Sequence, residues 1–141
     1  MAEIDLSLRD SLASLATVQE RLATWLPGQG VAPAEANRIE IVFEEVVTNI
    51  MKYAHADGGQ DLHPIEATLR IRDGVALLAV EDDGFAFDPR SVEVKPLEGP
   101  LEEQTPGGLG LLMVRRLSLG FDYRRTAQGR NRLEVRLAAT G

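Results

Sequence analysis

A chain of 141 residues, 44% hydrophobic and 26% charged, is long enough to bury one core and too short for two comfortable ones, so a single domain over residues 1–141 is expected. Its formal net charge of −7 argues against a general nucleic-acid or anionic-membrane surface, which needs a basic footprint. The absence of cysteine removes disulfides and thiol chemistry; with no basic-then-apolar leader and no apolar run long enough to cross a bilayer, a cytoplasmic setting is expected.

Ile4 and Leu6 alternate with Glu3, Asp5 and Ser7, which predicts a short strand suited to a sheet edge. Ser7 followed by Asp10 suggests a capping box for a first helix, in which Leu8, Leu12, Leu15, Leu22 and Leu26 keep helical spacing until Pro27, Gly28 and Gly30 end it. Pro33 suits the first turn of a second helix reaching about His55. At about 100° per residue, Ile39, Val42, Phe43, Val46, Val47, Ile50 and Ala54 share its apolar face. Glu45, Asn49 and Lys52 form a polar stripe along the edge of that face. Any amphipathic helix carries polar side chains at such a border, so the stripe alone assigns no site.

Asp57, Gly58 and Gly59 break the second helix. Ile65, Ala67, Leu69 and Ile71 then alternate with Glu66, Thr68, Arg70 and Arg72, the pattern of a strand buried on one face. Asp73-Gly74 predicts a two-residue hairpin into Val75 to Val80, a strand that passes at Glu81 into the acidic segment EDDGFAFDP. Residues 90–105 lack periodicity and read as a mobile connection, a candidate lid. A glycine-rich start then opens a helix with Leu109, Leu112, Met113 and Leu117 at helical spacing. Arg115 and Arg116 oppose its dipole, while Arg124 and Arg125 start a basic patch. Two alternating runs, Phe121 to Thr126 and Arg132 to Leu137, form a last hairpin around Gln128-Gly129-Arg130. Strands and helices without strict βαβ alternation predict an α+β fold: a two-layer α/β sandwich, its mixed, mostly antiparallel sheet carrying helices on one face.

Glycines where a loop enters a helix let the backbone approach a ligand, and the helix start suits phosphate; Gly107, Gly108 and Gly110 fit that description. Neither GxxxxGK with Ser or Thr nor GxGxxG after an early strand is present, so P-loop and Rossmann sites are not supported. His55 and His63 lack the neighbours that would make them metal ligands.

In order, these segments resemble the ATPase domain shared by gyrase-type ATPases and histidine kinases, in particular its small anti-sigma factor serine kinase branch. Glu45-Val46-Val47-Thr48-Asn49 resembles the family's N box, Asp82-Asp83-Gly84-Phe85-Ala86-Phe87-Asp88-Pro89 its first glycine box, and Gly107-Gly108-Leu109-Gly110-Leu111 its second. Arg130-Asn131-Arg132-Leu133, leading into the last strand, is also similar.

The resemblance implies ATP as the nucleotide, Mg²⁺ held by Asn49, and Glu45 as general base. It further implies that Asp82 accepts from the adenine amino group, that Gly84 gives the purine room, and that Asn131 supports Asp82. Lys52, on the same stripe as Asn49, is a second-tier candidate for a phosphate contact, beside its reading as a solvated helix lysine. Ala86 stands where the fuller DxGxG pattern has glycine, which alanine replaces without strain only at negative φ. The implied activity is transfer of the γ-phosphate to a serine of an antagonist protein. The implied partners are that protein, a sigma factor and a second copy of the chain, with no nucleic acid or membrane. Two further readings stay open: a non-catalytic, nucleotide-responsive partner-binding module, and a stand-alone ATPase that uses water.

Overall fold

The computed structural model of the chain describes residues 2–53, 63–86 and 108–140. In chain order the elements are β1 (Ala2–Asp5), β2 (Leu8–Arg9), α1 (Leu12–Gly28), α2 (Pro33–Tyr53), β3 (Pro64–Arg72), β4 (Val75–Asp82), α3 (Gly108–Leu117), β5 (Gly120–Arg125) and β6 (Asn131–Ala138). The expected helix break at residues 57–59 and the connection at 90–105 lie outside the described residues.

The strands form one sheet in the order β1-β3-β4-β6-β5, with β2 also on β3. Every pairing among the described strands is antiparallel. The β3–β4 hairpin closes through Asp73 (φ 52°) and Gly74 (φ 77°), with Arg72 opposite Val75. Two successive positive φ values match the right-handed twist of the flanking strands, which is why Asp-Gly marks this turn. A Cβ at Gly74 would also lie 2.7 Å from Thr140 Oγ1.

The pleat sorts side chains to two faces. Ile65, Ala67 and Leu69 of β3, Ala76, Leu78 and Val80 of β4, and Val135 and Leu137 of β6 are buried on one of them. They share a single core with Leu15, Val18, Leu22 and Leu26 of α1, Ile39, Val42, Phe43, Val46 and Val47 of α2, and Val114 of α3. The strand positions between them include Glu66, Arg70, Arg132, Glu134 and Arg136, so the helices cover one face of the sheet. This is the two-layer α+β sandwich that the periodicities predict.

The entry into α1 differs from expectation. Leu8–Arg9 is strand rather than helix, with Leu8 opposite Ile65. The N-cap is Ser11, whose Oγ accepts from the Ser14 amide at 3.2 Å. Ser7 instead ties β1 to β3: its amide donates to Asp5 Oδ1 at 2.8 Å and its hydroxyl accepts from the Ala67 amide at 3.2 Å. Leu8 satisfies either period, and the cross-strand place beside Ile65 buries it. At the other end, α1 runs through Pro27 and closes at Gly28; the amides of Gln29 and Gly30 then donate to Leu26 and Pro27 carbonyls, with Gly30 at φ 77°. A proline in the last turn costs one hydrogen bond without ending the helix before it.

Phe43 is fully buried in α2 beneath the sheet. Phe43→Ala should cost about 3–5 kcal/mol of stability by denaturant unfolding, the usual cost of a large core cavity. Asp5 offers a test in acid. The Ser7 hydroxyl, then the Ser7 amide, hold its carboxyl below the ordinary value of 3.8. A depressed folded-state value gives stability that is present above 3.8 and lost as pH falls through the folded value. Asp5→Asn should therefore be slightly less stable than the parent at neutral pH, and the difference should close in acid well below 3.8.

Candidate nucleotide-binding site

The polar edge of α2 follows from its helical period. Glu45 and Asn49 are half-buried beside the core face, and Lys52, in the last turn, is exposed. Glu45, Thr48 and Lys52, with Glu44 and Met51, line a groove of about 610 Å³. Its other wall is Asp10, Ser11 and Leu12, where β2 passes into α1. Asn49 lies about 40° further round the axis than Glu45 and is not among the groove-lining residues. The Thr48 hydroxyl is engaged by its own helix, donating to the Glu44 carbonyl at 2.8 Å. Asp10 is buried, and its amide donates to the His63 carbonyl at 3.0 Å, which joins this wall to the start of β3.

The end of the sheet carries the second cluster. Asp82, the last residue of β4, is only 4% exposed and continues the core-facing alternation of Ala76, Leu78 and Val80. It stands opposite Ile65 of β3 on one side and Asn131 of β6 on the other, and Asn131 stands opposite Arg125 of β5. Four strands thus contribute to one row. Asp82 Oδ2 accepts from the Gly84 amide at 2.9 Å and from Asn131 Nδ2 at 3.2 Å. Asn131 Nδ2 also donates to the Phe85 carbonyl at 2.8 Å. At the other end of that amide, Oδ1 accepts from the Tyr123 hydroxyl at 2.5 Å and from Arg125 Nη1 at 3.1 Å. The same guanidinium nitrogen donates to the Gly84 carbonyl at 2.9 Å. A buried carboxylate whose position is set by such donors is a preorganised acceptor for an N–H group.

The first glycine box is described as far as Ala86. Gly84 is buried, whereas Phe85 is 62% exposed. Asp73 is the one non-glycine described residue with positive φ, so Ala86 occupies a conformation that alanine tolerates and the missing glycine adds no backbone strain there. In the second box, Gly108 and Gly110 lie in the first turn of α3, while Gly107 is outside the described residues. Among the described residues, no three His, Cys, Asp or Glu side chains group as a metal cage. An Mg²⁺ ion carried mainly by phosphate oxygens needs no such cage, and the Asn49 amide oxygen is a hard donor of the type it takes.

Two contributors were not visible from the sequence. Arg125 reads as part of a basic surface patch, yet its guanidinium turns onto Gly84 and Asn131. Tyr123 carries no motif at all; only its place two residues before Arg125, on the same face of an alternating strand, signals that it reaches Asn131.

The described residues thus form a two-layer sandwich with helices on one face of an antiparallel sheet and a buried acidic residue at the end of a central strand. Residues 8–137 match the model of the histidine kinase-like ATPase domain, and the chain belongs to that family. It is 33% identical over 84 residues to the serine/threonine-protein kinase BtrW of Bordetella bronchiseptica, a match covering 58% of this chain and 56% of that protein. The chain thus spans about half the length of this curated relative. In fold it is similar to the RsbU and RsbW domains of Rv1364c from Mycobacterium tuberculosis, with TM-score 0.66 and 17% identity over 98% of this chain and 32% of that one. It is also similar in fold to a chain of the SiaB-SiaC complex from Pseudomonas aeruginosa, with TM-score 0.63 and 18% identity over 95% of this chain and 88% of that one.

The hydrogen bonds of Asn131 predict a measurable stability contribution. Asn131→Leu keeps the branched shape but leaves the Tyr123 hydroxyl and the Phe85 carbonyl without this partner, and should cost about 1–3 kcal/mol in urea unfolding. Arg124→Ala, on the exposed side of β5, should stay within about 0.5 kcal/mol of the parent.

Proposed function

We propose that this chain is an ATP-dependent protein serine kinase of the anti-sigma type, which transfers the γ-phosphate of Mg-ATP to a serine of an antagonist protein. The observation that carries this reading is Asp82, a buried acceptor set by Gly84 and Asn131 at the end of a central strand. Membership of an ATPase-domain family supports ATP as the nucleotide. The relative named as a serine/threonine-protein kinase supports a serine as acceptor. In the reading, residues 1–141 form one ATPase domain that works in the cytoplasm as a homodimer, binding the antagonist and a sigma factor but neither nucleic acid nor membrane. No described helix is long and apolar enough to cross a membrane.

Each residue has a defined part. Asp82 accepts from the adenine 6-amino group, which selects adenine because guanine presents a carbonyl at that position and leaves the acceptor unpaired. Gly84, with no side chain, and Ala86, with a small one, let the purine lie against the backbone at those positions. The backbone amides of Gly108 and Gly110 in the first turn of α3 would take phosphate oxygens, with Gly107, the preceding residue in sequence, assigned the same part, and Lys52 would add a cation at the end of α2. Asn49 would hold Mg²⁺, which would supply positive charge against that developing on the phosphates. Glu45, one turn before Asn49, takes the proton of the serine hydroxyl as its oxygen bonds to the γ-phosphorus. The bond from that phosphorus to the β–γ bridging oxygen breaks, and ADP leaves. Glu45 lines an open groove rather than a closed cavity, which gives a protein substrate access to it.

Phosphotransfer separates this reading from its rivals. With labelled ATP, Mg²⁺ and a serine-bearing antagonist protein, Glu45→Gln should reduce transfer by about 10²–10⁴-fold, the usual worth of a general base, while ATP affinity changes little. Asn49→Ala should weaken Mg²⁺-dependent ATP binding itself. Steady phosphate release without any protein substrate would favour a stand-alone ATPase. Stoichiometric ATP binding without turnover would favour a partner-binding module.

A further inference from the structure

We propose that Tyr123 and Arg125 are positioning residues for base selection, acting through Asn131 to aim Asp82 at the amino-bearing edge of a purine. The inference rests on the nucleotide reading above and adds the side chains that make the carboxylate selective. A side-chain amide can present either of two ends to its neighbours. Turned one way, Asn131 donates from Nδ2 to Asp82; turned the other, its oxygen faces a carboxylate and repels it. The Tyr123 hydroxyl and the Arg125 guanidinium both donate to Oδ1, at 2.5 and 3.1 Å, and so fix the first orientation.

Arg125 has a second hold on the same acceptor. Its Nη1 donates to the Gly84 carbonyl at 2.9 Å, while the amide of that glycine donates to Asp82 Oδ2 at 2.9 Å. One guanidinium therefore holds Asn131, whose amide donates to Asp82 Oδ2, and the carbonyl of Gly84, the residue whose own N–H donates to the same oxygen. The register makes this possible, because Arg125, Asn131 and Asp82 follow one another across three adjacent strands. Tyr123, two residues earlier on the same face of β5, reaches Asn131 along the diagonal.

A merely structural role is the alternative: the same hydrogen bonds pin β5 to β6 and keep the sheet end ordered. The two accounts differ in what a ligand feels. If Tyr123 and Arg125 act through Asp82, their loss weakens only ligands that donate to Asp82. If they only hold the sheet end together, every nucleotide suffers alike.

The test is a calorimetric titration of the full chain, with Mg²⁺, using ATP and purine riboside triphosphate, which differs from ATP only in lacking the 6-amino group. The Tyr123→Phe/Arg125→Met double variant should bind ATP about tenfold more weakly than the parent and bind the analogue within about twofold of it. Tyr123→Phe alone removes one hydroxyl and should show the same selectivity at about threefold, which keeps the test usable if the double variant unfolds early. Equal losses for both nucleotides, or no loss for ATP, would overturn the proposal. A parent that binds both nucleotides equally would remove Asp82 as the base reader, and a parent that binds neither would remove the nucleotide reading beneath it.

Discussion

The antiparallel register between β4 and β6 is the constraint on which the rest of the site depends. It runs from Val75 opposite Ala138 to Asp82 opposite Asn131. Along the core-facing side, apolar positions on both strands pack under the helices until the last row, where a carboxylate meets an amide. A slip of one residue would turn every side chain of β6 to the other face, exposing Val135 and Leu137 and taking Asn131 away from Asp82. The energy that fixes the register is therefore hydrophobic and non-directional, while its product is a directed set of hydrogen bonds at the sheet end.

The same division of labour holds for α2. Its apolar face, centred on Phe43 and Val47, anchors it beneath the sheet, and that anchoring sets where Glu45 and Asn49 emerge along its edge. Neither polar residue needs a strained backbone to be where it is. The groove beside Glu45 is closed on its other side by Asp10, Ser11 and Leu12, where Ser11 caps the first helix. The short strand at Leu8–Arg9 leads directly into that wall.

What could be read from the sequence is what local periodicity and turn chemistry specify. Asp73-Gly74 announced its hairpin because few other dipeptides accept two positive φ values, and β3 alternates so regularly that its buried face was plain. The long apolar stripe of α2 identified that helix and its polar edge together. The misreading at Ser7 arose because Leu8 fits a helical and a strand period equally well, and only its partner Ile65, 57 positions away, decides between them. Asn131 and Asp82 were legible as separate motif positions through resemblance. That Asn131 supports Asp82 was implied by the same resemblance, but the atoms that meet, Nδ2 and Oδ2, were not, because they depend on strand register. Tyr123 and Arg125 were less legible still: a tyrosine and an arginine on an edge strand are ordinary surface residues until the strand beside them is known. The candidate lid at 90–105, the expected helix break at 57–59 and Gly107 fall outside the described residues.

The central claim is that the polar row at the end of β4 is where the adenine of ATP is read. It is tested most directly by ¹⁵N-edited NMR of the uniformly labelled protein titrated with Mg-ATP, following the Asn131 side-chain amide and the Gly84 backbone amide. The account predicts that both resonances move with one saturable isotherm, the same one that describes α2 around Asn49, and that GTP moves neither to comparable extent. Saturable ATP binding that leaves Asn131 and Gly84 unmoved would contradict it and place the nucleotide elsewhere on the fold.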